Sequence, residues 1–322
     1  MFSGERIMRS PQGLLDNPEI MKKYESLRVK VYESECVAKI INRIRTAGPI
    51  MVVDPEKAYY DLEDTLERVR IFSRMGGRIL EFGGSTDNNN EAEKVIPFVR
   101  EVIDEIRDED KGDTLIISFP GTSSQVVEGV DAVFSLFPPQ LDEVFRQDEA
   151  MAQYWTAQYF GIIENGEELG VPVIPVTYIL FNGGRPTTVE KQTGIRAIDV
   201  KDGVNVNGVM RTIKPWLSPG DLGMIELGSS PETSVDLSGV AEEVFEITKV
   251  PWIVTGGVNS VEHIRRVTRN RPFPVVFGSV AEKTPPDYFG MLCGEFIESH
   301  PLTQARYVDA RKLFRQVYSS YR

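Results

Sequence analysis

Residues 50–82 read IMVVDPEKAYYDLEDTLERVRIFSRMGGRILEF, and this stretch decides the fold. Ile50–Val53 is a short apolar run rich in β-branched residues, the mark of a buried strand. From Asp61 to Met75 the apolar residues Leu62, Leu66, Val69 and Phe72 fall on one helical face. Gly76–Gly77 supplies the left-handed stop that helices favour. A second strand, Arg78–Phe82, follows. Strand, helix and strand in this order predict a parallel pair joined by a crossover helix.

The same unit recurs along the chain. Glu91 to Ile106 repeats the helical spacing through Val95, Ile96, Val99, Val102 and Ile103. Strands are expected at Thr114–Phe119 and Ala132–Leu136, with only a short turn between them. A long helix is expected from Leu141 to about Glu164. Further strands are expected at Val173–Leu180, Gly223–Leu227, Trp252–Thr255 and Pro274–Phe277. Eight strands interleaved with helices predict an α/β fold of the (β/α)8 TIM-barrel type. A doubly wound sheet would need fewer strands and a GxGxxG first turn, and Gly183–Gly184 lacks that spacing. Residues 1–46 are polar and helix-prone and read as an N-terminal helical extension, with 47–322 as one barrel domain. The irregular segment 183–220, rich in Gly, Pro and Thr, reads as a lid over the strand ends or as a plain surface excursion.

Composition removes several functions. The chain has 322 residues, 41% hydrophobic and 26% charged, with a net charge of −12. That balance argues against a nucleic-acid partner, which needs a clustered basic face. Arg265, Arg266, Arg269 and Arg271 read as the solvated side of a helix and its C-terminal end. Two cysteines and two histidines leave no zinc-ligand pattern. Few cysteines and no signal-peptide pattern point to a cytoplasmic protein. No apolar run approaches the ~18–20 residues that span a bilayer, so any lipid contact is peripheral.

In a barrel the active site lies at the C-terminal ends of the strands, and polar residues gather there. The first strand ends in Asp54-Pro55-Glu56-Lys57, suited to a divalent metal and a phosphate; read alone, Asp54 is equally a helix N-cap. The second ends in Gly83-Gly84-Ser85-Thr86, where glycines let a ligand approach and hydroxyls follow. Glu226 sits among apolar residues in the sixth strand. A carboxylate pointing into a barrel is costly unless it has work there, which makes Glu226 the general-base candidate. Gly256-Gly257 and Gly278-Ser279 end the last two strands, where barrels hold phosphate on backbone N–H groups. Phe119, Phe134, Leu136 and Phe137 could line an apolar groove, although most such residues belong to ordinary core.

These stretches together resemble the geranylgeranylglyceryl phosphate synthase family, its archaeal-type branch most. The matching segments are Val53–Lys57, Gly83–Thr86, Phe119–Gln125 leading to Val130-Asp131-Ala132, Glu226–Ser229, Gly256-Gly257 and Gly278-Ser279, in family order over roughly residues 50–283. The short or missing helix between the third and fourth strands also fits. The resemblance implies a Mg2+-dependent prenyltransferase. It would join a polyprenyl diphosphate, geranylgeranyl by family habit, to a hydroxyl of sn-glycerol 1-phosphate. It implies Asp54 and Ser85 as metal ligands and Glu226 as the base. The acceptor phosphate falls to Met224, Gly228, Ser229, Gly256, Gly257, Gly278 and Ser279, and the diphosphate to Lys57, Thr86 and Arg185. By analogy with barrels of this type it implies a homo-oligomer. Three departures stand out. The family has Tyr where this chain has Met224, a third glycine where it has Val258, and Gly-Ala-Asp where it has Asn270-Arg271-Pro272-Phe273. Met224 removes a phenol from the acceptor side, so a different three-carbon phosphate such as 3-phosphoglycerate also fits. A phosphosugar isomerase or lyase on the same barrel would share the glycines without needing the Asp54–Ser85 pair.

Overall fold

The computed structural model describes residues 34–304, apart from 84–89, 110–112, 141–143, 145–146, 200–205, 209, 212–213, 215–216, 218–220, 229–236 and 270; before 34 it describes only Pro18, Lys22 and Ser26. Eight parallel strands close into a barrel: β1 (Pro49–Val53), β2 (Ile79–Phe82), β3 (Leu115–Ser118), β4 (Ala132–Phe137), β5 (Val173–Leu180), β6 (Leu222–Glu226), β7 (Trp252–Thr255) and β8 (Val275–Phe277). Closure is the pairing of β1 with β8, Pro49 opposite Val275 and Met51 opposite Phe277. This is the expected TIM barrel.

The helices follow in chain order as α1 (Glu35–Arg45), α2 (Pro55–Tyr60), α3 (Leu62–Arg74), α4 (Asn90–Asp108), α5 (Glu149–Glu168), α6 (Thr188–Thr193), α7 (Leu237–Thr248), α8 (Val261–Val267), α9 (Ser279–Lys283), α10 (Pro286–Ser299) and α11 (Pro301–Gln304). Between β3 and β4 the described chain makes only a 3-10 turn, Ser123–Gln125, as the sequence predicts. One boundary differs. A separate short helix, α2, precedes α3, because Asp54 caps it and Pro55 opens it. The long helix α5 opens at Glu149, where the Asp148 side chain accepts from the Met151 N–H; the expected start at Leu141 lies outside the described residues, and Val144 and Gln147 ahead of the cap are helical.

Strand alternation sorts side chains between two apolar layers. Outward residues such as Met51, Leu80, Ile225, Val254 and Phe277 pack beneath the helices. Inward residues such as Ile50, Ile79, Phe134, Met224 and Val276 fill the barrel. The inner layer continues into α1, whose Val37, Ile40, Ile41 and Ile44 join the same cluster. Arg43 and Arg45 of α1 donate to the carbonyls of Asp113 and Asp221, which precede β3 and β6. Helix α1 is therefore the floor of the barrel at the N-terminal ends of its strands. Among the described residues no helix is long and apolar enough to cross a membrane.

Candidate active site

The alternation that buries Ile50, Ile79, Phe134, Met224 and Ile253 sends the inward residue two positions later into the barrel mouth. Those residues are Val52, Glu81, Leu136, Glu226 and Thr255, and all of them line one cavity of about 900 Å³. Its wall runs across the C-terminal ends of the strands, where a TIM barrel carries its chemistry.

Glu226 ends β6 facing this cavity. Its Oε1 accepts from the Gly228 N–H, and its carboxyl is also bonded by the Thr255 side chain. Burial raises its pKa from 4.5 to about 7, while the bonds from Thr255 and Gly228 pull the other way. A carboxyl poised near neutrality and anchored by two donors is what proton abstraction requires.

Glu81 is a second acid in the same mouth, and sequence reasoning missed it. It is the penultimate residue of β2, opposite β6 in the closed barrel. It is 5% exposed, and its Oε2 has no hydrogen-bond partner among the described residues. Burial first, and then the charge of Glu226, push its pKa up to about 8. The signal was present: Glu81 interrupts an apolar strand near its C-terminal end, as Glu226 does. Tyr178 of β5 shares the layer. Burial and the nearby charges of Glu226, Glu81 and Glu190 raise its phenol pKa well above 10.

Met224 is fully buried and lies outside the cavity wall, one layer below Glu226. Its register partner on β5 is Tyr178, which does line the cavity.

At the edge between β1 and β8, Asp54 caps α2 with Oδ1 (3.1 Å to Glu56 N), so the N-cap reading holds. It also faces the cavity, and its Oδ2 meets the Lys57 ammonium at 3.1 Å. Glu282 of α9 meets the same ammonium at 2.9 Å. Desolvation lowers the basicity of Lys57, but the two carboxylates outweigh it and raise the pKa. Glu282 was not anticipated, because it lies beyond the strand end within a short helix. Among the described residues no group of three or more His, Cys, Asp and Glu side chains forms a metal cage. The donors present nevertheless suit Mg2+. That ion is commonly held by one or two carboxylates while substrate phosphates and waters complete its shell. Asp54 and Glu282 are hard oxygen donors that already converge on one cation. Ser85, Thr86 and Ser229 lie outside the described residues.

The remaining wall divides by polarity. Gly228, Gly256, Gly257, Gly278 and Ser279 form a side-chain-poor flank at the ends of β6, β7 and β8. Gly256 has φ +91, and a Cβ there would lie 2.8 Å from the Leu227 nitrogen and 3.0 Å from Glu226 Oε1. Only glycine lets the β7 turn approach the base so closely. His263 Nδ1 donates to the Gly257 carbonyl, 3.0 Å away. The opposite flank is apolar, with Phe119 and Leu136 joined by Trp155, Tyr159 and Ile162 of α5. Phe134 and Phe137 are core and do not line it. Arg185 and helix α6 cover the cavity from the segment 183–220. Trp155 ties that cover down by donating to the Gln192 carbonyl. The lid reading holds for residues 185–193.

Fold and cavity together define a TIM barrel with an acidic centre, a glycine-rich flank and an apolar flank. No protein-family model matches the chain, and no curated protein matches it in sequence. Among solved structures its fold is similar to that of (S)-3-O-geranylgeranylglyceryl phosphate synthase from Thermoplasma acidophilum in complex with its substrate sn-glycerol-1-phosphate. The TM-score is 0.60 at 19% identity, over 86% of this chain and 97% of that one. It is similar in the same degree to wild-type GGGPS from Thermoplasma volcanium, with TM-score 0.60 at 20% identity over 82% and 97% of the two chains. At such identities the likeness establishes the barrel fold.

Proposed function

We propose that this protein is a Mg2+-dependent prenyltransferase that joins a polyprenyl diphosphate, geranylgeranyl in the first instance, to a hydroxyl of sn-glycerol 1-phosphate. The product is an ether, and diphosphate leaves. The observation that carries this reading is the placement of Glu226 between a glycine-rich flank and an apolar flank of one cavity. A reaction that brings a phosphate and a hydrocarbon chain to one base needs that division.

The chain's own groups have distinct tasks in this reading. The acceptor phosphate is assigned to the strand ends at Gly228, Ser229, Gly256, Gly257, Gly278 and Ser279, the kind of glycine-rich turn whose backbone N–H groups hold anions. The prenyl tail lies along Phe119, Leu136, Trp155, Tyr159 and Ile162. Asp54, with Glu282 and Ser85, holds Mg2+, and Lys57, Thr86 and Arg185 serve the diphosphate. Bound Mg2+ neutralises the diphosphate and so makes it a competent leaving group. The acceptor hydroxyl oxygen attacks C1 of the prenyl chain. The C1–O bond to diphosphate breaks with its electron pair going to the diphosphate, and Glu226 takes the hydroxyl proton.

The apolar flank favours this over a phosphosugar isomerase or lyase, whose small polar substrate has no use for it. A different three-carbon phosphate such as 3-phosphoglycerate is the second reading for the acceptor, and Met224 in place of a phenol is what favours it. Glu226→Gln tests the base. Transfer should fall by at least ~100-fold, the usual span for a general base. The affinity for prenyl diphosphate, measured by calorimetry, should be kept. Turnover at the wild-type rate in that variant would remove Glu226 from the mechanism.

A further inference from the structure

Resting on the prenyl-transfer reading, we propose that Glu81 is a specificity-determining residue: its unpartnered carboxyl oxygen hydrogen-bonds a second hydroxyl of the acceptor while Glu226 takes the proton from the first. The structure therefore selects a three-carbon phosphate bearing two hydroxyls over one bearing a single hydroxyl.

Three observations support this. Glu81 is 5% exposed, yet its Oε2 has no hydrogen-bond partner among the described residues, and it lines the cavity. Buried carboxyl oxygens are nearly always bonded, so one left open in a cavity wall is a place for a ligand's polar atom. Glu81 is the last inward residue of β2 and Glu226 ends β6, so the two carboxyls face each other across the closed barrel, near enough for the charge of one to act on the other. A molecule seated between them meets one carboxyl on each side. Finally, the oxygens of Glu226 are bonded by Gly228 and Thr255, whereas Glu81 lacks such anchors among the described residues. The first carboxyl is oriented for its task in the free protein, and the second acquires its partner from the substrate.

The Glu81 carboxyl accepts from a hydroxyl whether or not it carries its own proton, so this role does not depend on its ionisation. An acceptor lacking the second hydroxyl leaves Oε2 buried and unpaired in the complex. Sites built around a substrate hydroxyl discriminate strongly against analogues without it.

The test compares glycerol 1-phosphate with 3-hydroxypropyl phosphate, which keeps the carbon chain, the phosphate and one terminal hydroxyl but lacks the middle one. Each is assayed with geranylgeranyl diphosphate and Mg2+ on the wild type, Glu81→Gln and Glu81→Leu. The wild type should favour the diol by roughly 100-fold or more in kcat/KM. Glu81→Gln keeps an acceptor oxygen and should retain most of that preference. Glu81→Leu should erase it, bringing the two acceptors within about fivefold while thermal unfolding shows the fold intact, because an unpaired buried carboxyl has been replaced by an apolar group. Equal losses on both acceptors in Glu81→Leu, or a preference that survives the change, overturns the assignment. Wild-type turnover without preference overturns it as well and leaves the transfer reading standing. No turnover on either acceptor by the wild type removes the transfer reading, and this inference with it.

Discussion

Glu226 and Glu81 reach the barrel mouth by the same rule of strand geometry. Each is a charged residue near the end of an apolar strand, and each turns into the mouth because strand side chains alternate. Glu226 drew attention through the segment around it, whereas Glu81 sat in a strand whose other residues made it look like ordinary β2. Glu282 carried no such signal, since nothing local to α9 announces that it will reach Lys57 across the β1–β8 seam. Met224 is the converse case: position in a motif pointed to the acceptor, and the layering of the barrel buried it. At this scale two results are expected. Activity should rise with pH through about 7 as Glu226 loses its proton. A pH–kcat/KM profile reads this directly, and a flat profile between pH 5.5 and 8 would contradict it. Gly256→Ala must hold φ +91 with a Cβ against the Leu227 nitrogen and the Glu226 carboxyl. It should lose about 1–3 kcal/mol of stability and raise the KM for the acceptor, measured by denaturant unfolding and steady-state kinetics.

At the scale of elements, the eight strands and the short turn between β3 and β4 were legible in the sequence to within a residue or two, because buried strands and amphipathic helices have different periods. The role of the elements was less so. Helix α5 shows only its length in the sequence. That it turns Trp155, Tyr159 and Ile162 toward a cavity follows from how it packs back on β4, the strand before it, which its own periodicity does not announce. Residues 185–193 likewise cover the site only because Phe181 and Ile198 pair outside the main strands and bend the segment back. Trp155→Ala removes a large apolar surface from this flank and the bond to Gln192. The KM for geranylgeranyl diphosphate should rise roughly tenfold or more, as expected for losing a buried aromatic contact. The KM for dimethylallyl diphosphate, too short to reach the flank, should change little. Equal effects on both donors would show that Trp155 does not meet the chain.

For the whole molecule, two buried acids make stability a function of pH. Both Glu81 and Glu226 have folded pKa values, about 8 and about 7, above the ordinary 4.5. Unfolded, they release their protons near 4.5; folded, they keep them. The stabilisation they contribute is complete below that value and is lost as pH rises toward 8, at about 1.4 kcal/mol per pH unit for each neutral group. Chemical denaturation of the wild type and Glu81→Leu between pH 5 and 8 should show the variant gaining on the wild type as pH rises. A difference that stays constant across that range would refute the shifted Glu81. The helix that seals the floor carries another consequence. Helix α1 shares one apolar cluster with Ile50 and Ile79 and also with Leu222, Ile253 and Val276 of the later strands. During synthesis it emerges before the strands and completes its packing only after β8 has emerged and joined β1. Until then its apolar face has no permanent home, so the nascent chain carries an exposed hydrophobic helix while the barrel strands are made, a natural handle for a chaperone.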